Sequence, residues 1–300
     1  MKEHKPRIGL CKICWLFGIT RQAYYQHLYQ AVDTSIEEEL IVKEVKYIRQ
    51  SHPRIGTRKL YIMLEKFMNE HQIKLGRDAL FDLLAKYGLL IRRRRRMINT
   101  TQSHHWLKKY PNLIKDLVPS RPNELYVSDI TYWKIETGYV YIHLITDAYS
   151  HKIVGHHLSE TLEAASSVKA LQIALSAFGA KSHLNLIHHS DRGVQYCSAR
   201  YVKLLQDHNI QISMTENGDP FENAIAERVN GILKEEYLSC YEVKNSIEAT
   251  ILLHQVIKLY NEERPHMSIG NLVPEKVHHK QLNKGDKKWK NYYQKNQLVN

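Results

Sequence analysis

The chain has 300 residues, enough for two or three domains, and carries 43 Lys/Arg against 31 Asp/Glu for a formal net charge of +12. It has no apolar run of membrane-spanning length and no signal-peptide core, and its four cysteines are too few for a disulfide framework. A soluble cytoplasmic protein with no membrane partner is expected. The charge is uneven: residues 1–122 hold 24 Lys/Arg against 11 Asp/Glu, residues 123–280 hold 14 against 19, and residues 281–300 hold 5 against 1. Basic flanks suit a polyanion through phosphate contacts and counterion release. The acidic middle would repel that polyanion unless cations sit within it.

In chain order, residues 1–32 read as two short helices, LCKICWLFGIT and RQAYYQHLYQ, joined near Gly18, with Thr20 as N-cap. This pattern is helix-turn-helix-like. Cys11 and Cys14 have CxxC spacing, but no second ligand pair stands at zinc-site spacing, so both are expected to pack inside. Residues 35–97 read as a helical DNA-binding domain, with helices near 35–50, 56–70 and 77–87. Gly88 is a candidate C-cap there, and Leu80, Leu83, Leu84 and Tyr87 fall at helical spacing. Arg54, Arg58, Lys59 and Arg77 fall at or near helix starts and are candidate DNA contacts; the alternative is a bundle with a solvated basic surface. Arg92, Arg93, Arg94, Arg95 and Arg96 form a run suited to tracking a DNA backbone. Residues 98–122, with Pro111, Pro119 and Pro122, read as a linker.

From residue 123 the periodicity turns to strands. ELYVSDITYWKI, YVYIHLITDAYS and HKIVGHHLS precede a helix, the strand LNLIHHSD, a second helix, the strand IQISMT and a third helix. This order predicts an α/β domain over residues 123–280, an RNase H-like mixed five-stranded sheet flanked by helices, followed by a basic tail at 281–300. Three acids stand out within it. Asp129 interrupts a β-branched run, Asp191 ends a strand at the carboxyl edge, and Glu227 follows Asp191 with 35 residues between them. On the third helix Asn223, Glu227, Asn230 and Lys234 share one stripe, backed by Ile225, Val229, Ile232 and Leu233. Each acid alone has a structural alternative: a strand-edge residue, a turn former, a surface charge. Together they could converge on divalent cations, which bind few carboxylates plus substrate phosphates.

The motifs LYVSDITYW (125–133), HSDRGVQYCS (189–198), ENAIAERVNGILKEE (222–236) and YNEERPHMSIGNLVPEKV (260–277) resemble the core of DDE transposases and retroviral integrases. With SHPRIGTRKL (51–60) and KYGLLIRRRRR (86–96), the whole chain resembles the second-frame, OrfB-type transposase of a bacterial insertion-sequence family. The resemblance implies that Asp129, Asp191 and Glu227 are a catalytic, metal-binding D,D(35)E triad holding Mg2+ or Mn2+, two ions in all. It implies that Lys234 contacts DNA near the scissile site. His189 and Asn223 would support the site, His189 by hydrogen bonding, and Asp147 would be a turn or hydrogen-bonding residue without a triad role. The implied partners are double-stranded DNA, as transposon terminal inverted repeats and target, a second copy of the chain on that DNA, and an upstream-frame protein. The activity implied is cleavage at transposon ends followed by strand transfer. The rival readings are an RNase H-like nuclease and a catalytically inactive, transposase-derived DNA-binding regulator. Tyr126 stands where the family commonly has Trp, and Glu222 where it commonly has Asp; neither departure touches the triad.

Overall fold

The computed structural model describes residues 9–91, 106–115, 117–176, 185–216 and 223–279, the side chains of residues 27–35 excepted. The arginine run 92–96, Glu222 and the basic tail lie outside the described residues. The chain divides into two compact units, one of residues 1–50 and 63–90, the other of residues 51–62 and 91–300. No helix among the described residues is long and apolar enough to cross a membrane.

The first unit is helical, drawn from α1 (Leu10–Leu16), α2 (Arg21–Ser51), α3 (Thr57–Glu70) and α4 (Arg77–Lys86). Gly18, at φ 66°, turns the chain between α1 and α2, where an L side chain would be strained. The Thr20 hydroxyl caps α2 by accepting the Ala23 N–H at 3.1 Å. α2 runs unbroken through residues 33–34, where the sequence suggested a domain border. Residues 21–50 contain no Gly or Pro, so nothing local stops the helix. Of the cysteine pair only Cys14 is buried; Cys11 is exposed, which corrects the expectation that both pack inside. Seven residues of α1 offer only a narrow inward stripe, filled by Ile13 and Cys14. In α4, Leu80, Leu83 and Leu84 are buried but Tyr87 is exposed. Gly88, at φ 66°, follows Tyr87 and ends the helix, and Leu89 N–H returns to Leu84 O at 2.7 Å.

The second unit holds β1 (Leu125–Ile135), β2 (Gly138–Asp147), β3 (Ile153–Ser159), α5 (Ala164–Ser176), β4 (Ile187–Ser190), α6 (Val194–Cys197), α7 (Ala199–Asp207), β5 (Gln211–Met214), α8 (Ala224–Ile232), a π-helix (Leu233–Tyr237), α9 (Ser246–Glu262) and α10 (Pro274–His278). The five strands form one mixed sheet in the order β3-β2-β1-β4-β5. β1, β2 and β3 pair antiparallel, whereas β4 and β5 add parallel to β1. This is the expected RNase H-like arrangement. Helices cover both faces. Trp133, Ile135, Ile142 and Leu144 pack with Val229, Ile232, Leu233, Leu253, Val256 and Tyr260 on one side. Tyr126, Ile145 and Met214 pack with Ala170, Leu171, Ala174, Tyr201 and Leu205 on the other.

α5 lies unusually close to β3. A Cβ on Gly155 would run into the carbonyl oxygen of Ala170 and come within 2.8 Å of the Ala174 Cβ, and both are parts of a packed helix that cannot swing away. Gly155→Ala should therefore destabilise the second unit by about 1–3 kcal/mol, the usual penalty of overpacking. A urea melt followed by tryptophan fluorescence checks this, and an unchanged midpoint would mean that α5 can slide on the sheet.

Candidate active site

The site starts where a ladder stops. β1 and β4 pair from Leu125↔Ile187 to Ser128↔Ser190, and the residue that follows each member of the last pair is an acid, Asp129 still within β1 and Asp191 just past β4. Parallel register therefore sets the two acids side by side, at the carboxyl end of β4, where open α/β sheets place ligands. β1 continues alone past this point, paired on its β2 side only, with Asp129 opposite Leu144. Beyond β4 the chain bends away: Asp191 Oδ1 accepts the Gly193 N–H at 2.9 Å, which fixes that carboxylate just ahead of α6.

α8 brings the third acid. Two asparagines stitch it to β1: Asn223 Nδ2 donates to Ser128 O at 3.0 Å, and Asn230 Nδ2 donates to Asp129 Oδ2 at 2.7 Å. Both asparagines are buried, and Glu227 stands exposed between them on the same helix. Ala226, Val229 and Ile232 seat the opposite face, while Ile225 is only half-buried. The polar stripe is thus a pair of buried anchors flanking a presented carboxylate. Asn230 was not among the predicted site residues, although its i+3 spacing from Glu227 was the available signal.

Burial raises the Asp129 carboxyl to about 7, with the negative charge of Asp191 and, more weakly, of Glu227 pushing the same way against the Asn230 and Ile130 N–H donors. Three acids that repel one another, all hard oxygen donors with no thiol or imidazole among them, fit a cation of the Mg2+ type. As they stand, no three His, Cys, Asp or Glu side chains among the described residues are gathered tightly enough to hold an ion by themselves. Lys234 sits in the π-helix, half-buried, with its ammonium 4.0 Å from the centroid of the Tyr132 ring. Burial lowers its pKa, and the charges of Asp129 and Glu235 oppose that shift.

The histidines beside Asp191 are internal hydrogen-bonding groups. His188 Nε2 lies 2.7 Å from Ser128 Oγ and 2.8 Å from Tyr201 Oη, and burial pushes its pKa down to about 3. His189 Nδ1 lies 2.8 Å from Ser213 Oγ, which also accepts the Leu113 N–H. Asp147 is fully buried and accepts from Asn123 N–H and from both the N–H and hydroxyl of Ser150. Burial alone would raise its pKa, but His278 and these donors outweigh that and hold it below the usual range.

The candidate DNA contacts fare unevenly. Arg58 is exposed and Arg54 half-buried, while Arg77 is turned onto Asp78 at 2.8 and 3.1 Å. Lys59 is a correction. It is buried, with its ammonium 3.1 Å from Glu236 Oε1, so it is not available as a phosphate contact. Arg264, also buried, grips the same carboxylate with Nε and Nη2 at 2.8 Å each. Arg54 N–H donates to Glu236 O at 3.2 Å, and His52 Nδ1 lies 2.8 Å from Tyr237 Oη. Residues 51–62 are thereby fastened to the π-helix. Burial alone would raise the Glu236 carboxyl, yet Arg264 and Lys59 hold it down at about 2.

The integrase core domain model matches residues 119–220, and a second integrase core domain model matches residues 208–274. The insertion element IS600 31 kDa protein of Shigella sonnei is 33% identical over 266 residues, 87% of this chain and 96% of that one. The transposase InsF for insertion sequence IS3A of Escherichia coli K12 is 33% identical, covering 66% of this chain and 69% of its own. The chain belongs to the insertion-sequence transposases. A third relative, the transposase for IS629 of Shigella sonnei, is 27% identical over 90% of this chain and 91% of its own. The transposase is accordingly a polynucleotidyl transferase acting on DNA, and neither the inactive-regulator nor the nuclease reading is favoured. Its integrase-type core implies dependence on divalent cations in general. The acidic middle of the chain, puzzling beside basic flanks, is where that core lies.

Proposed function

We propose that Asp129, Asp191 and Glu227 are the catalytic residues of a D,D(35)E site and hold two Mg2+ or Mn2+ ions for cleavage at transposon ends and strand transfer into target DNA. The observation that carries this reading is the adjacency of Asp129 and Asp191 where the β1–β4 ladder ends, with Glu227 set on α8 between two anchored asparagines. The ions, when bound, supply charge neutralisation to the attacking and departing oxygens of an in-line displacement. The chain's own groups position. Asn230 and the Gly193 N–H orient the carboxylates of Asp129 and Asp191, Asn223 fixes the start of α8, and His189 braces β4 against Ser213. Lys234 contacts a phosphate beside the scissile one. Water first breaks a phosphodiester at the transposon end, leaving a 3′-OH. That hydroxyl then attacks a target phosphodiester, forming one P–O bond as another breaks.

Arg54, Arg58, Arg77 and Arg92–Arg96 are assigned to DNA contacts, the DNA being the terminal inverted repeats and the target. The chain works in the cytoplasm as a homo-oligomer on DNA, with an upstream-frame protein as a further partner. The 300-residue chain incubated with duplex bearing the inverted repeat that flanks its gene should nick it with Mg2+ or Mn2+ and not with EDTA. The same ions should raise its melting temperature by mass action, because they relieve the mutual repulsion of the acids. Nicking in EDTA would remove the metal assignment. Cation-dependent stabilisation with DNA binding but no nicking would return the inactive regulator.

A further inference from the structure

Lys234 has an unusual close partner for a cation beside acids. Among the described residues no carboxylate lies within ion-pair distance of it; its ammonium lies instead over the face of Tyr132, 4.0 Å from the ring centroid. Tyr132 lies on β1 three residues past Asp129, in the stretch that β4 no longer pairs. Its ring is braced by Tyr139 from β2, edge to face at 5.8 Å and 76°. Both residues are exposed, at 37% and 54%, so neither ring belongs to the buried core.

A ring face holds a cation in a way that a carboxylate does not. The attraction comes from the ring quadrupole, so it uses none of the ammonium's three N–H donors and leaves its charge unneutralised. A salt bridge would do the opposite and compete with an incoming phosphate. We propose that Tyr132, braced by Tyr139, is a positioning residue that holds the Lys234 ammonium over the edge of β1, aimed and ready for a DNA phosphate. This rests on the reading of Lys234 as a phosphate contact and names the group that aims it.

The test is a double-mutant cycle in the full chain, measuring cleavage of end DNA at sub-saturating concentration. Tyr132→Phe keeps the ring face and should stay within about twofold of wild type, whereas Tyr132→Leu and Tyr132→Met should each slow cleavage roughly tenfold. In the Lys234→Ala background the same ring-removing changes should cost nothing further, and the Mg2+ concentration dependence should be unchanged throughout. A ring needed only for folding would lower the melting temperature and show its loss in both backgrounds. If Tyr132→Leu slows cleavage equally with and without Lys234, the ring acts on DNA by itself and the inference is overturned. Normal cleavage by Tyr132→Leu with slow cleavage by Lys234→Ala overturns the inference alone. Normal cleavage by Lys234→Ala removes the phosphate-contact reading and the inference together.

Discussion

Replacing Asp191 by Asn should abolish strand cleavage, lowering its rate on the order of a thousandfold, while binding to end DNA changes by less than about threefold. The two effects separate because the substitution is nearly isosteric. An amide oxygen at the Oδ1 position can still accept the Gly193 N–H, so the bend after β4 and the start of α6 survive. The unit charge at the carboxyl end of β4 does not. Loss of that charge also removes a main reason for the raised Asp129 pKa, so Asp129 should ionise at lower pH in the variant. A nicking assay beside a gel-shift titration decides the matter. Cleavage within tenfold of wild type would take Asp191 out of the triad, and a parallel loss of DNA binding would mean that the bend had collapsed.

The second large effect lies away from the acids. Arg264→Met should destabilise the second unit by about 3–5 kcal/mol, because removing one partner strands the rest of a buried ionic cluster. Glu236 would keep only Lys59, itself pushed down to about 8 by burial and by the charge of Arg264. The pH dependence gives an independent reading. The unfolded chain binds the Glu236 proton at about 4.5 and the folded chain only near 2, so the unfolded state takes up protons first as pH falls between those values. This contribution is complete above about pH 4.5 and disappears as pH falls through 2; it is worth on the order of 3 kcal/mol. Guanidinium melts at pH 6 and pH 3 should show the gap between wild type and Arg264→Met narrowing in acid. A gap independent of pH would place the cluster's contribution in packing instead of charge.

Asp129 was legible in the sequence because a charge inside a β-branched run has few structural reasons to be there. The five strands were legible because alternation and turn residues are local. The same local signals could not reveal Lys59. Periodicity says which face of a helix is apolar, but not that a cation at its start will meet Glu236 far along the chain. Asn230 shows in the sequence as a member of the polar stripe, yet its bond to Asp129 depends on how α8 crosses β1. The four-residue α6 is too short to show a period. The π-helix leaves no mark at all, since LKEEY is an ordinary helical string.

That π-turn bears on how one continuous helical segment serves two clients. An α-helix advances about 100° per residue, so its polar face comes round in a fixed rhythm. Accommodating one extra residue between Leu233 and Tyr237 resets that rhythm partway along. The stretch before the π-helix is phased to β1, through Asn223 and Asn230; the last residues of the π-helix itself meet Arg264 and residues 51–62, through Glu236 and Tyr237. Lys234 falls at the joint between the two phases. Its direction is therefore set by the length of the turn as much as by its chemistry, and the spacing from Glu227 to Lys234 works as a dial as well as a motif.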